Sequence, residues 1–172
     1  FTLPANVESL VLSGSALSGA GNALANQITG NALANGLSGG LGHDTIVGGM
    51  GNDTLVGNDG DDVLEGGAGA DRLNGGAGAD QFRFVTTGDG PDTIVDFLSG
   101  TDRIVVVAAN CGLVAGGVAN LFVDTNPDSA VAAFHYDSAT GAFSFDADGN
   151  GAGAAVQLAW LQNRPATLDS GD

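Results

Sequence analysis

One large apolar side chain recurs at a nine-residue interval through the first half of the chain: Ile28, Leu37, Ile46, Leu55, Leu64, Leu73 and Phe82. Its neighbours are polar, or, like Val47, Val56 and Val63, point to the opposite face by period-two alternation, and glycine bounds each short run. Alternation over so few residues reads as a three-residue strand followed by a tight turn, because a helix needs a longer apolar stripe. A strand-and-turn unit of this length cannot bury its own apolar side chain, so stacked units must share one seam, which is a solenoid. Two units make one coil. Turns i and i+2 then stack on the same edge, and the seven apolar residues line a seam between two short parallel sheets. Upstream, Val7-Glu-Ser-Leu-Val-Leu12 reads as a strand covering the solenoid's open end. From Asp102 onward the period is lost and the expectation is an antiparallel meander. Ala132 to Tyr136, Ala142 to Asp146 and Ala154 to Trp160 are its strands, with Phe134, Tyr136, Phe143, Phe145, Val156 and Leu158 alternating and Trp160 read as core.

The turns carry the chemistry. From Gly39 to Arg83 five units follow without a gap, beginning Gly39-Gly-Leu-Gly-His-Asp44-Thr-Ile-Val and Gly48-Gly-Met-Gly-Asn-Asp53-Thr-Leu-Val. Glycine at Gly39, Gly40, Gly42, Gly48, Gly49, Gly51, Gly57, Gly60, Gly66, Gly67, Gly69, Gly75, Gly76 and Gly78 permits positive φ and bares the backbone carbonyls that a turn around a hard cation needs. Asp44, Asp53, Asp62, Asp71 and Asp80 place a short carboxylate at the sixth position of each unit, and Asp59 is a further acidic candidate in the central one. Stacking puts Asp44, Asp62 and Asp80 on one edge, Asp53 and Asp71 on the other, each carboxylate able to bridge ions on either side.

This Gly-Gly-x-Gly-x-Asp-x-(apolar)-x register resembles the calcium-binding repeat of RTX proteins, and the stretch after it resembles the C-terminal domain of serralysin-type secreted proteases. The resemblance implies an all-β fold, a parallel β-roll closed by the meander, holding at least three calcium ions. It further implies passage through a type I secretion machinery in an unfolded state, folding on extracellular calcium, and support of an upstream domain. Three parts are expected: residues 1–38 as degenerate coils, 39–97 as the calcium repeats, and 98–172 as a cap that would contain any secretion signal. In the first part, Gly21-Asn-Ala-Leu-Ala-Asn26 and Gly30-Asn-Ala-Leu-Ala-Asn35 keep the register with Asn in place of Asp, so weak or absent metal binding is expected, with Asn35 a mixed-site partner of Asp53. After Arg83, Gly88-Asp-Gly-Pro-Asp92-Thr-Ile-Val-Asp96 reads as a distorted further loop. Asp92 occupies the repeat position; Asp96 either reaches back to the last loop or caps a turn.

Composition narrows the partners. Eighteen of the 20 acidic residues are Asp, Lys is absent, and the formal net charge is −16. A nucleic acid or an anionic membrane surface needs a basic patch, whereas calcium is a natural counter-charge. No run reaches the roughly 18 apolar residues of a membrane-spanning helix, and no basic-then-apolar leader is present. The start at Phe1 is read as a piece of a longer chain, and the end at Asp169-Ser-Gly-Asp172 lacks the apolar tail of many secretion signals. A lone Cys111 excludes an internal disulfide and reads as a buried thiol.

Catalytic motifs fail on context. Gly36-Leu-Ser38-Gly-Gly40 fits the nucleophile-elbow pattern, but that elbow needs a strand before Ser and a helix after it. His43 and His135 lack a second His at metal spacing, so no zinc-protease motif exists. Asp146-Ala-Asp148-Gly-Asn150-Gly151 fits the first half of an EF-hand loop, but Gln157 stands where a bidentate Glu belongs and the flanks read as strands, favouring a hairpin turn. The expected function is therefore a non-catalytic calcium-binding module of a secreted, extracellular protein. The alternative is a calcium-dependent adhesin or surface-layer module at the cell surface.

Overall fold

The computed structural model describes residues 1–85, 90–107, 120–122, 133–146, 156–166 and 168. The strands run β1 (Ser9–Val11), β2 (Ser18–Ala20), β3 (Gln27–Thr29), β4 (Gly36–Leu41), β5 (Thr45–Met50), β6 (Thr54–Asp59), β7 (Val63–Ala68), β8 (Arg72–Ala77), β9 (Gln81–Phe84), β10 (Asp92–Ile94), β11 (Arg103–Val106), β12 (Asn120–Phe122), β13 (Ala133–Asp137), β14 (Ala142–Asp146) and β15 (Val156–Leu161). Odd and even strands separate into two sheets, as two units per coil require. One has the order β1-β3-β5-β7-β9-β11; the other runs β12-β13-β14-β15-β10-β8-β6-β4-β2. All pairings among β1 to β11 are parallel, and the register puts Leu10, Ile28, Ile46, Leu64, Phe82 and Ile104 in one row, Gly19, Leu37, Leu55, Leu73, Ile94 and Leu161 in the facing row. All seven expected seam residues are buried, and Phe97 extends the seam by packing its ring against Phe82. At the open end, Gly19 leaves room for Leu10 and Leu12, whose methyl groups fill the space a side chain would take.

Two expectations about the far end are corrected. The antiparallel arrangement begins at β13, not at Asp102: β11 lies parallel to β9 and continues the solenoid through Val106. The β13-β14-β15 meander then joins the solenoid edge to edge, with β15 parallel to β10. Trp160 is turned outward, 39% exposed. Its cause is a register shift between Phe143 and Ser144 that puts one extra residue on β15; Leu158 and Ala159 are both buried and the alternation changes phase. Cys111 and most of the Asp146 to Gly151 loop lie outside the described residues, as do Gly88 and Asp89.

Candidate metal centre

Each glycine turn is shaped by two residues of positive φ, at the second and fourth positions of its unit, for example Gly40 (120°) and Gly42 (102°). In the central unit the second position is Asn58, which takes φ 83°, a region that Asn tolerates better than other side chains. The first glycine is required for a different reason. Its φ is ordinary, but at Gly39, Gly48 and Gly57 the space a Cβ would occupy is bounded by the unit's own Asp44, Asp53 or Asp62 Oδ2 and by the carbonyl oxygen of Gly57, Gly66 or Gly75, the first glycine of the next turn on the same edge. Three small oxygen-lined cradles between stacked turns result.

The carboxylates form two columns. Asp44 Oδ1 accepts the amide of Asn26, Asp62 that of Asp44 and Asp80 that of Asp62, at 2.7, 2.7 and 2.9 Å. On the other edge Asp53 accepts from Asn35 and Asp71 from Asp53, both at 2.7 Å. One oxygen of each carboxylate is thus bonded to the coil before it. Oδ1 is engaged by an amide, and Oδ2 faces the cradle of its own turn. Asp44, Asp53, Asp62 and Asp80 each bury that Oδ2 with no hydrogen-bond partner. Burial without a partner penalises the charged form. It raises all four carboxyls above their ordinary range, Asp62 and Asp80 to about 6, and the neighbouring carboxylates Asp44 and Asp80 push Asp62 further in the same direction.

Both columns continue past the repeats. Asp92 Oδ1 accepts the Asp71 amide at 3.0 Å, where the sequence placed it. Asp102, absent from the sequence-based candidates, ends the other column by accepting the Asp80 amide at 3.0 Å, and its second oxygen accepts from Leu98 at 2.8 Å. Its signal is the Asp-x-Ile triplet that Asp92-Thr-Ile94 shares with Asp102-Arg-Ile104. Asp96 reaches back to the last loop, accepting from the amides of Gly75 and Gly76 at 3.0 and 2.8 Å. Asp59 is exposed at the end of β6, and its carbonyl rather than its carboxylate holds the turn, through the Gly42 amide. The fifth position has a role the sequence did not reveal: His43 Nδ1, Asn52 Oδ1 and Asp61 Oδ1 accept the amides of Asp61, Ala70 and Ala79 in the following coil. Ser38 is half-buried and its hydroxyl accepts from Asn58 Nδ2, in an all-β setting that has no elbow.

Among the described residues no three His, Cys, Asp or Glu side chains converge, so the cradles offer carboxylate and backbone carbonyl oxygens. That donor set is hard, all-oxygen and anionic, and it suits calcium rather than a nitrogen- or sulfur-seeking metal. A buried, unpartnered carboxylate oxygen beside glycine carbonyls is the fit such an ion needs.

Comparison with known proteins agrees with this chemistry. Residues 20–55 and 47–82 match the family model of the RTX calcium-binding nonapeptide repeat, a model of four copies. The match ends short of the stretch expected to be serralysin-like. No curated protein matches. Among solved structures, the chain is similar to the AlgE6R3 subunit of the Azotobacter vinelandii mannuronan C5-epimerase, with 33% identity, 75% of this chain and 69% of that one covered, and a TM-score of 0.49. It is also similar to the AlgE6R2 subunit of that enzyme, with 27% identity, 88% and 89% covered, and a TM-score of 0.45. Repeat register, two-sheet roll and carboxylate columns converge with the family match: residues 20–82 are RTX calcium-binding nonapeptide repeats.

Proposed function

We propose that this RTX calcium-binding β-roll is a folding switch, in which at least three calcium ions are held between stacked turns by Asp44, Asp53, Asp62, Asp71 and Asp80 and by the carbonyls of the flanking glycines. The observation that carries the reading is the buried Oδ2 of Asp44, Asp53, Asp62 and Asp80, each without a partner and each beside glycine backbone. Bound calcium would supply the positive charge these carboxylates face. Without it, neighbouring carboxylates about 5 Å apart repel by about 3 kcal/mol per pair at an effective dielectric near 20, and the thin apolar seam does not offset the cost of ordering the coils. Ion binding and folding are then one event. The carboxylates of Asp92, Asp96 and Asp102 support the last turns by accepting the amides of Asp71, Gly75, Gly76 and Asp80.

RTX repeats are typical of extracellular secreted proteins, and no helix among the described residues is long and apolar enough to cross a membrane. Export through a type I machinery with the calcium-dependent coils unfolded, folding of those coils outside on calcium, and support of an upstream domain follow as the biological use of such a switch. No part of the reading gives this chain a catalytic role. Calcium titration followed by circular dichroism and calorimetry tests it. The expected result is a cooperative gain of β-signal with half-saturation at about 10⁻⁴ to 10⁻³ M, the range of extracellular modules, and no gain with magnesium, whose small octahedral shell suits neither the turn size nor the ligand number. A full β-signal in excess chelator, or no heat on adding calcium, would falsify it.

A further inference from the structure

The two turns that carry Asn instead of Asp are built differently from the five that follow. In the aspartate turns the second residue has positive φ and the buried Oδ2 of Asp44, Asp53, Asp62 and Asp80 has no partner. In the asparagine turns Asn22 and Asn31 are not among the residues of positive φ. Their amides turn inward and donate to Asn26 Oδ1 and Asn35 Oδ1 at 2.7 and 2.8 Å. The oxygen that faces a cradle in the later turns is already satisfied here. The same two side chains complete the closure: Asn22 Oδ1 and Asn31 Oδ1 accept the amides of Leu24 and Leu33. Asn22 Nδ2 donates to the carbonyls of Pro4 and Val7, both at 2.8 Å, and Asn31 Nδ2 to that of Ala16 at 2.7 Å. Asn26 Nδ2 and Asn35 Nδ2 also donate, to the Val7 and Ala16 carbonyls. The carbonyl oxygens of Pro4, Val7 and Ala16 are thus met by side-chain amide N–H groups of these two turns.

Charge separates the two regions as well. Glu8 is the sole charged side chain among residues 1–42, so stacking these coils incurs no carboxylate repulsion. Leu3, Leu10, Leu12, Ile28 and Leu37 give them a buried seam. The amides of Asn26 and Asn35 project from them to meet the Oδ1 of Asp44 and Asp53, the first carboxylate of each column.

We infer that residues 1–38 form a metal-independent nucleus, its two turns held shut by Asn22, Asn26, Asn31 and Asn35 in place of a cation, onto which the calcium-dependent coils assemble in order from Gly39 toward Asp80. This rests on the calcium reading of the later turns and adds a direction to it. A chain with a preformed first coil does not nucleate its metal sites from a random chain. Each new Asp meets an amide that is already in position, which lowers the calcium needed by all later coils.

Hydrogen exchange of the intact chain in excess chelator tests this. The amides of Leu12, Gln27 and Gly36, which bond within the N-terminal coils to Thr29, Glu8 and Leu17, are expected to exchange at least about tenfold more slowly than those of Val63, Arg72 and Gln81, which bond to Asp44, Asp53 and Asp62. Equally fast exchange throughout would overturn the nucleus and leave the calcium reading standing; equally slow exchange throughout would overturn both. The variant Asn31→Ala is expected to lose this protection in chelator and to raise the half-saturating calcium by on the order of three- to tenfold, the scale of one or two lost hydrogen bonds. Because that variant also weakens the fold in general, a second one converts the turn to the metal type: Asn31→Gly with Leu33→Gly and Asn35→Asp. It is expected to lose protection in chelator and regain it in calcium. Retention of protection in chelator by this converted chain would overturn the inference.

Discussion

At the scale of single residues, the three glycines of a unit do separate jobs. The second and fourth supply positive φ, while the first is glycine because a cradle stands where its Cβ would be. Gly48 and Gly36 make a clean comparison, since neither has positive φ and both lie at or near β-strand backbone that alanine accepts. At Gly48 a Cβ would meet Asp53 Oδ2 and the Gly66 carbonyl, whereas at Gly36 nothing lies within 4 Å. Gly48→Ala is expected to abolish one calcium site and weaken cooperative folding, and Gly36→Ala to leave both the ion count and the midpoint near wild type. Calorimetric titration of the two variants would settle the matter. A Gly48→Ala chain with the wild-type ion count would mean that the cradle is not where the ion is held.

At the scale of elements, the seam from Ile28 to Phe82 and the column positions from Asp44 to Asp80 were legible because strict nine-residue spacing fixes both the inward face and the stacking partner. Where that spacing stretches, legibility failed. The amide-to-carboxylate step is 18 residues within the repeats but 21 from Asp71 to Asp92 and 22 from Asp80 to Asp102. Loops inserted between coils lengthen the sequence without changing the stack, so Asp102 was assigned to the meander although β11 continues the roll. Trp160 was misplaced for a related reason, since alternation along one strand carries no sign of a bulge against its partner. The asparagine turns were recognised as poor metal sites, but their closure by side-chain amides depends on contacts with Pro4, Val7 and Ala16, up to 19 residues away. The column ending gives a test. Asp102 holds the buried Asp80 amide, so Asp102→Ala should destabilise the calcium-loaded chain by about 1–3 kcal/mol, the cost of a buried donor left unmet. Asp102→Asn keeps an acceptor oxygen and should lose much less. Chemical denaturation in saturating calcium reads both, and equal stability of Asp102→Ala and wild type would show that the column ends at Asp80.

At the scale of the whole molecule, a net charge of −16 on so thin a seam makes protons and calcium interchangeable to a degree. In the metal-free fold, desolvation raises Asp62 and Asp80 from 3.8 to about 6. An unfolded chain releases those protons from about pH 3.8 upward, while the fold retains them to about 6. Between those values the fold binds more protons than the unfolded chain, so its stability falls as pH rises. No penalty exists below the window, where both states are protonated, and the full penalty is present above it. Acid also removes the repulsion between stacked turns. With four Arg and two His as the only basic side chains, little positive charge builds up to unfold the roll in its place. Metal-free protein is therefore expected to gain β-signal on acidification from pH 7 to about 4, the opposite of ordinary acid denaturation. Calcium, which needs the ionised carboxylates, should reverse the trend: its half-saturating concentration should rise steadily as pH drops below about 6. Circular dichroism in chelator across this range, paired with calcium titrations at each pH, measures both slopes. A metal-free chain that loses β-signal on acidification, or a calcium midpoint indifferent to pH between 4 and 7, would show that the buried carboxylates do not govern folding.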